Sequence, residues 1–264
     1  WTFHYYSKKK LRIDEPNQFF KDFIFAGARY KESYNSQLLK MWKRKTTIYG
    51  KYPLHFIYTM NKFLPGWQNH TIKNLSQRPV YGYKKNSNKK EDQIEYLINK
   101  SDSIKFTKEE EIFGDKLLRD FGVDDKKKIV CFAIRDHSYS RIKLKDPNTD
   151  SSYHSYRHTN LKNFELAAKF LADKGYYVFR MGRKASEKFN LNDKRIIDYS
   201  NSNLKNDFLD VFIGANCYFC LSTGYGFDDI PLIFGRPLAL ISTPIIGIRS
   251  RLSNQIFLTK HHFC

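Results

Sequence analysis

Residues 129–134 (IVCFAI) constrain the fold more than any other stretch of this chain. A continuous apolar run of strand length, without polar alternation, describes a strand buried on both faces, as in parallel sheets covered by helices. The chain beyond it keeps the rhythm of such a sheet. Residues 161–174 read as an amphipathic helix ended by Gly175, 176–181 (YYVFRM) as the next strand and 195–199 as a short one. Residues 206–215 then read as a helix, 217–222 as a strand, 226–234 as a short helix broken by Pro231, and 238–242 as a last strand. Strands separated by helices predict parallel βαβ units and a doubly wound sheet.

The first half has a different texture. Residues 1–125 read as mostly helical and irregular, with helical spacing of apolar and basic residues over 35–45 (NSQLLKMWKRK) and 51–64 (KYPLHFIYTMNKFL). Residues 83–92 (YKKNSNKKED) form a charged loop. Thr107 and Glu110 have capping-box spacing for a helix reaching Phe121 and closed by Gly122. The polar residues 124–128 (DDKKK) then predict a boundary between an N-terminal domain, 1–125, and a second domain, 126–264. The chain opens on Trp1 without an initiating methionine, and it is expected to be a piece of a longer protein, with early strands of its first domain missing.

Charge separates the same two regions. Residues 1–90 carry 19 Lys and Arg against 4 Asp and Glu, a balance of +15 out of the formal +19 of the whole chain. Such a field favours phosphate-rich partners: nucleic acid, an anionic membrane or a lipid pyrophosphate. Charge alone motivates a nucleic-acid-binding module, but there is no RNP-like aromatic strand, zinc-finger spacing or helix-turn-helix pattern, so no nucleic-acid partner is expected. No uninterrupted apolar run approaches the ~18 residues of a membrane span, and no signal peptide is seen. The four cysteines fit a reducing, cytoplasmic setting. Cys217 and Cys220 lie three apart; read as strand residues they face opposite ways and are expected to be core thiols rather than metal ligands. No metal site is expected, and His261, His262 and Cys264 read as a frayed end.

Polar residues and glycines recur directly after the predicted strands: Arg135-Asp136-His137, Arg180-Met181-Gly182-Arg183, Ser222-Thr223-Gly224-Tyr225-Gly226 and Ser242-Thr243-Pro244. Ligands of open α/β sheets bind outside the carboxyl ends of the strands, so a convergent site is expected there. The Ser-Thr-Gly-Tyr-Gly turn is expected to open a helix and to offer free backbone N–H groups to a phosphate. It is neither a Gly-x-Gly-x-x-Gly fingerprint nor a P-loop. Arg135, at the end of a buried strand, has the planar fork that suits a diphosphate, with an ion pair to Asp136 or to a helix carboxylate as the alternative. Residues 151–159 (SSYHSYRHT) gather two Tyr, two His and an Arg, including a group, His154, able to take a proton near neutral pH. Asp207 and Asp210 precede the Gly-rich strand and are candidates for a base or ribose contact.

These segments, in the order IVCFAIRDHSY, SYHSYRH, KGYYVFRMG and DFLDVFIGANCYFCLSTGYGFDDIPLIFGRP, together with the earlier LLKMWKRK, LPG and KFTKEEE, resemble glycosyltransferases encoded in bacterial surface-polysaccharide clusters. More distantly, the second half is similar to the donor domain of GT-B fucosyltransferases, in which a strand ending in His-x-Arg, an aromatic and histidine loop and a late strand ending in Ser-Ser bind a GDP-sugar. Arg135 matches that arginine, Ala133 stands where the histidine is, and Thr223 and Gly224 replace the paired serines.

The resemblance implies an α/β, GT-B-like protein: a C-terminal Rossmann-like parallel-sheet domain and a mostly helical or incomplete N-terminal domain on the acceptor side. It implies a metal-independent glycosyltransferase without a cofactor, using a nucleotide-sugar, GDP-linked as the first expectation, and a surface glycan or lipid-linked acceptor. The expected donor-binding residues are Arg135, Arg180, Gly182, Asp207, Asp210, Ser222, Thr223 and Gly224, with His154 or Asp136 as the catalytic base. Work on a lipid-linked acceptor would put the enzyme at the cytoplasmic, anionic face of the inner membrane. The rivals are a sugar-nucleotide epimerase of similar plan and a non-enzymatic anion-binding module.

Overall fold

The computed structural model describes residues 24–25, 35–49, 51–67, 104–135, 159–183, 185, 187–224, 226–243 and 254–260. The chain divides into two compact units, Trp1–Lys105 and Phe106–Cys264.

In the first unit, strands β1 (Ile24–Phe25) and β2 (Ile48–Tyr49) pair in parallel. Helix α1 (Ser36–Lys43) starts where the Asn35 side chain accepts the Leu38 N–H at 3.0 Å. It buries Gln37, Met41 and Trp42 and turns its lysines outward. Helix α2 (Lys51–Asn61) buries Leu54 and leaves Phe56, Ile57 and Met60 exposed.

The second unit begins with helix α3 (Lys108–Asp120), whose capping box has the expected partners: Thr107 Oγ1 accepts the Glu110 N–H, and the Glu110 carboxylate accepts the Thr107 N–H. Six strands come after it: β3 (Ile129–Ala133), β4 (Tyr177–Arg180), β5 (Ile196–Ile197), β6 (Phe219–Ser222), β7 (Leu238–Thr243) and β8 (Gln255–Thr259). They form one all-parallel sheet in the order β5-β4-β3-β6-β7-β8. Helices α4 (Glu165–Asp173), α5 (Asp207–Asn216) and α6 (Asp229–Ile233) make the crossovers. The sheet grows one way from β3 through β4 and β5, and the other way from β6 through β7 and β8. This is a doubly wound, Rossmann-like sheet.

Strand β3 is buried along its whole length because both faces are covered. Val130, Phe132 and Ile134 pack with Leu161, Phe164, Ala168 and Val178. On the other face Cys131 lies against the Ile213 carbonyl of α5. Phe106, just ahead of α3, meets Phe212 of α5 at 5.1 Å and stacks on Phe234 at 5.7 Å. Phe121 meets Phe179 and Tyr199.

That packing joins residues 106–125 to the compact unit that holds the sheet. The charged stretch 124–128 is not a loose linker: Lys126 bridges Glu111 and Asp115 of α3, both at 2.9 Å, and Asp124 accepts the Tyr177 hydroxyl at 2.7 Å. Gly114 marks the closest approach of α3 to α5, since a Cβ there would run into the Phe212 ring. Gly114→Ala should therefore lower stability. Helix propensity alone would add about 1 kcal/mol, but overpacking costs about 1–3 kcal/mol, for a net loss of about 1 kcal/mol. Thermal unfolding measures the sign, and a raised Tm would contradict the contact.

Two other sequence expectations change. The sheet does not end at β7, because β8 adds an edge strand. Cys217 is the residue closing α5 rather than a strand residue, so strand alternation does not separate it from Cys220. Cys131, Cys217 and Cys220 are all buried and free, and the Cys217 thiol donates to the Gly214 carbonyl at 3.2 Å. Burial pushes the Cys131 and Cys220 thiols well up, which keeps them protonated.

Candidate functional site

Because every strand of the sheet runs the same way, the polar turns at the ends of β3, β4, β6 and β7 share one edge. Strand order reverses between β3 and β6, and the crevice outside the carboxyl ends at such a reversal is where open α/β sheets take ligands. Arg135, two residues past β3, and the turn after β6 meet at that point.

Their contact is specific. The Arg135 N–H donates to Thr223 Oγ1 at 2.9 Å, and the Arg135 carbonyl accepts the Thr159 N–H at 3.4 Å. The Thr223 N–H donates to the Ala133 carbonyl at 3.1 Å, and Ser222 Oγ donates to the same carbonyl at 3.2 Å. Ser222 Oγ also accepts the Gly224 N–H at 3.1 Å. Ser222 and Thr223 are buried. Gly224 has φ +84, a left-handed turn that a side chain would strain.

This network corrects the expectation of free N–H groups in the turn, because those of Thr223 and Gly224 already have protein partners. The expected helix dipole is also weak: the turn leads into a 3-10 segment, Gly226–Asp228, and then only the five residues of α6. Ser222, Thr223 and Gly224 lock the backbone of Arg135 in place. Its side chain is partly exposed, and among the described residues no carboxylate pairs with it.

The other expected site residues are spread along the sheet. Arg180 closes β4, is 1% exposed and lies with its guanidinium 6.0 Å from the Phe189 ring centre. Gly182 comes two residues later with φ +149. Asp207 and Asp210 occupy the first turn of α5, the helix that carries the chain from β5 to β6. The Lys205 ammonium bonds both carboxylate oxygens of Asp210, at 2.7 and 3.0 Å. Burial raises the Asp210 carboxyl, against the pull of Lys205. Tyr199, whose hydroxyl donates to the Asn206 carbonyl at 3.2 Å, is raised chiefly by burial and then by the Asp210 charge. Asp210 thus ties the turn 199–206 to α5. Asp136, His154 and Tyr225 lie outside the described residues, as do His261, His262 and Cys264. Among the described residues no group of three His, Cys, Asp or Glu is arranged to hold a metal ion.

Two hydroxyls from segments named in the sequence, but outside the expected donor-binding residues, also belong to this edge. Thr159 and Thr243 each bury Oγ1 without a hydrogen-bond partner among the described residues. Fold and edge together define a Rossmann-like α/β unit with an arginine held at the switch point of its sheet. No family model, no curated protein and no solved structure matches the chain.

Proposed function

We propose that the chain is a GT-B-type glycosyltransferase that moves a sugar from a nucleotide-sugar to a surface glycan or lipid-linked acceptor. One observation carries the reading: Arg135 has its backbone pinned by Thr223 at the reversal of strand order, and among the described residues no carboxylate pairs with its guanidinium. A planar cation there suits the diphosphate of a nucleotide-sugar. In sugar transfer, the diphosphate gains negative charge as the glycosidic bond breaks, and Arg135 neutralises that charge without a metal ion. Ser222 and Thr223 serve as positioning residues. His154 or Asp136, assigned from the sequence, takes the acceptor hydroxyl proton, a role worth about 10²–10⁴ in rate.

The acceptor side rests on the first unit. Phe56, Ile57 and Met60 are exposed on α2, away from buried Leu54, and Phe63 and Leu64 extend the exposed apolar surface beyond the helix. Basic Lys43, Arg44, Lys45 and Lys62 lie in the same unit. An apolar helix face in a unit that also exposes basic residues suits an anionic bilayer surface, where a lipid-linked acceptor would be met. Trp42 takes no part in that surface: it is 5% exposed and belongs to the core of its unit.

A thermal-shift screen against UDP-, GDP-, CMP- and dTDP-sugars tests the donor assignment. A ligand at 100 times its Kd stabilises by about 2.7 kcal/mol, which should raise Tm by roughly 5–10 °C in a chain of this size. Flat profiles for all four classes would sink the reading. Release of nucleoside diphosphate without any acceptor would favour the epimerase.

A further inference from the structure

The locked turn raises a question of supply. A diphosphate needs several donors, yet the Thr223, Gly224 and Arg135 N–H groups all point to protein acceptors. Side-chain donors beside the turn would meet that need.

Three observations converge on Thr243. Ser242 has φ +52, a left-handed conformation rare for a residue with a Cβ, near the end of β7. The pairing of β7 with β8 shifts register between Leu240 and Thr243, as at a bulge, a device that re-aims a side chain. The re-aimed Thr243 is 7% exposed, its Cγ2 lies 3.6 Å from where a Cβ on Gly224 would sit, and its Oγ1 has no partner. Buried hydroxyls are nearly always hydrogen-bonded, and one left unmade destabilises the fold. On the Arg135 side Thr159, whose N–H holds the Arg135 carbonyl, leaves its own buried Oγ1 equally unmade. The two orphan hydroxyls thus belong to residues that touch the two groups, Arg135 and the Gly224 turn, that meet at the switch point.

The geometry points to Thr243, with Thr159, as hydroxyl donors to the phosphoryl oxygens of a diphosphate held by Arg135 against the Gly224 turn. This rests on the nucleotide-sugar reading for the ligand's identity, but not for its diphosphate chemistry. An O–H bond to an ionised oxygen is among the stronger hydrogen bonds, and a phosphoryl oxygen would supply the acceptor each hydroxyl lacks.

Full-length Thr243→Val and Thr243→Ser test this by calorimetric titration with inorganic pyrophosphate and, separately, with nucleoside diphosphates, alongside unliganded melting. Thr243→Val should bind both probes roughly tenfold more weakly, with an unliganded Tm equal to or above wild type, because it removes an unsatisfied hydroxyl. Thr243→Ser should bind like wild type, and Thr159→Val should repeat the loss. Unchanged affinity in Thr243→Val overturns the inference. So does a lowered unliganded Tm, which would mean the fold already uses the hydroxyl. Wild type that binds neither probe overturns it too. Wild type that binds pyrophosphate but no nucleoside diphosphate overturns the nucleotide-sugar reading instead, and the Thr243→Val titration with pyrophosphate still decides the inference.

Discussion

Arg135→Ala should weaken binding of the matching nucleotide-sugar by about 1.5–3 kcal/mol, the range for a hydrogen bond to a charged group, or about 10- to 150-fold in Kd. The substitution is unusually clean. Among the described residues, the hydrogen bonds that fix Arg135 run through its backbone: its N–H to Thr223 Oγ1 and its carbonyl to the Thr159 N–H. Alanine keeps both bonds, so the melting temperature without ligand should stay close to wild type. Among the described residues no acidic partner loses its cation. Titration of folded Arg135→Ala with the best sugar-nucleotide of the thermal screen gives the measurement. Arg135→Lys refines it: a lysine keeps the charge but not the fork, so affinity should recover only in part. If Arg135→Ala binds the donor as wild type does, the arginine has no role in binding, and a structural use of the side chain takes its place.

The sheet was legible because its strands carry their burial in their composition. Residues 129–134 are apolar throughout, and β3 is buried throughout. Strand β8 hid from the same test. It is an edge strand whose Ile256 and Leu258 are 63% and 59% exposed, so its apolar residues carry no mark of burial. The place of residues 124–128 in the second compact unit is hidden for an electrostatic reason: a run of charges resembles a linker unless its partners are known, and the partners of Lys126 lie a helix away, at Glu111 and Asp115.

At the site, the position of Arg135 and the β6 turn was readable from strand ends in a parallel sheet. Their division of labour was not. That Thr223 and Gly224 donate inward depends on Ser222 Oγ and the Ala133 carbonyl, a geometry no spacing announces. The triplet Ser242-Thr243-Pro244 is visible as a polar turn, but only the backbone reveals that a serine adopts a glycine-like conformation and brings Thr243 against Gly224.

Removing charge from the first unit should have a large effect on vesicle binding. Each Lys or Arg near an anionic bilayer contributes about 1 kcal/mol, so Lys43→Gln, Arg44→Gln and Lys45→Gln combined should lower vesicle binding by about 3 kcal/mol, on the order of a hundredfold. All three side chains are exposed, and their loss should leave the buried Met41 and Trp42 of α1 undisturbed. The apolar share is separable. Phe56 and Phe63 are 67% and 79% exposed, and inserting a phenylalanine into the acyl boundary is worth about 1.5–3 kcal/mol. Phe56→Ser with Phe63→Ser should therefore weaken binding without changing its salt dependence. Sedimentation with phosphatidylcholine vesicles, with and without phosphatidylglycerol, reads both contributions. Wild type should pellet only with the anionic vesicles and should be released between 0.1 M and 1 M salt, as the Debye length falls from about 10 Å to about 3 Å. Equal recovery with neutral and anionic vesicles at low salt would remove the membrane from the proposal, and the apolar face of α2 would then need another partner.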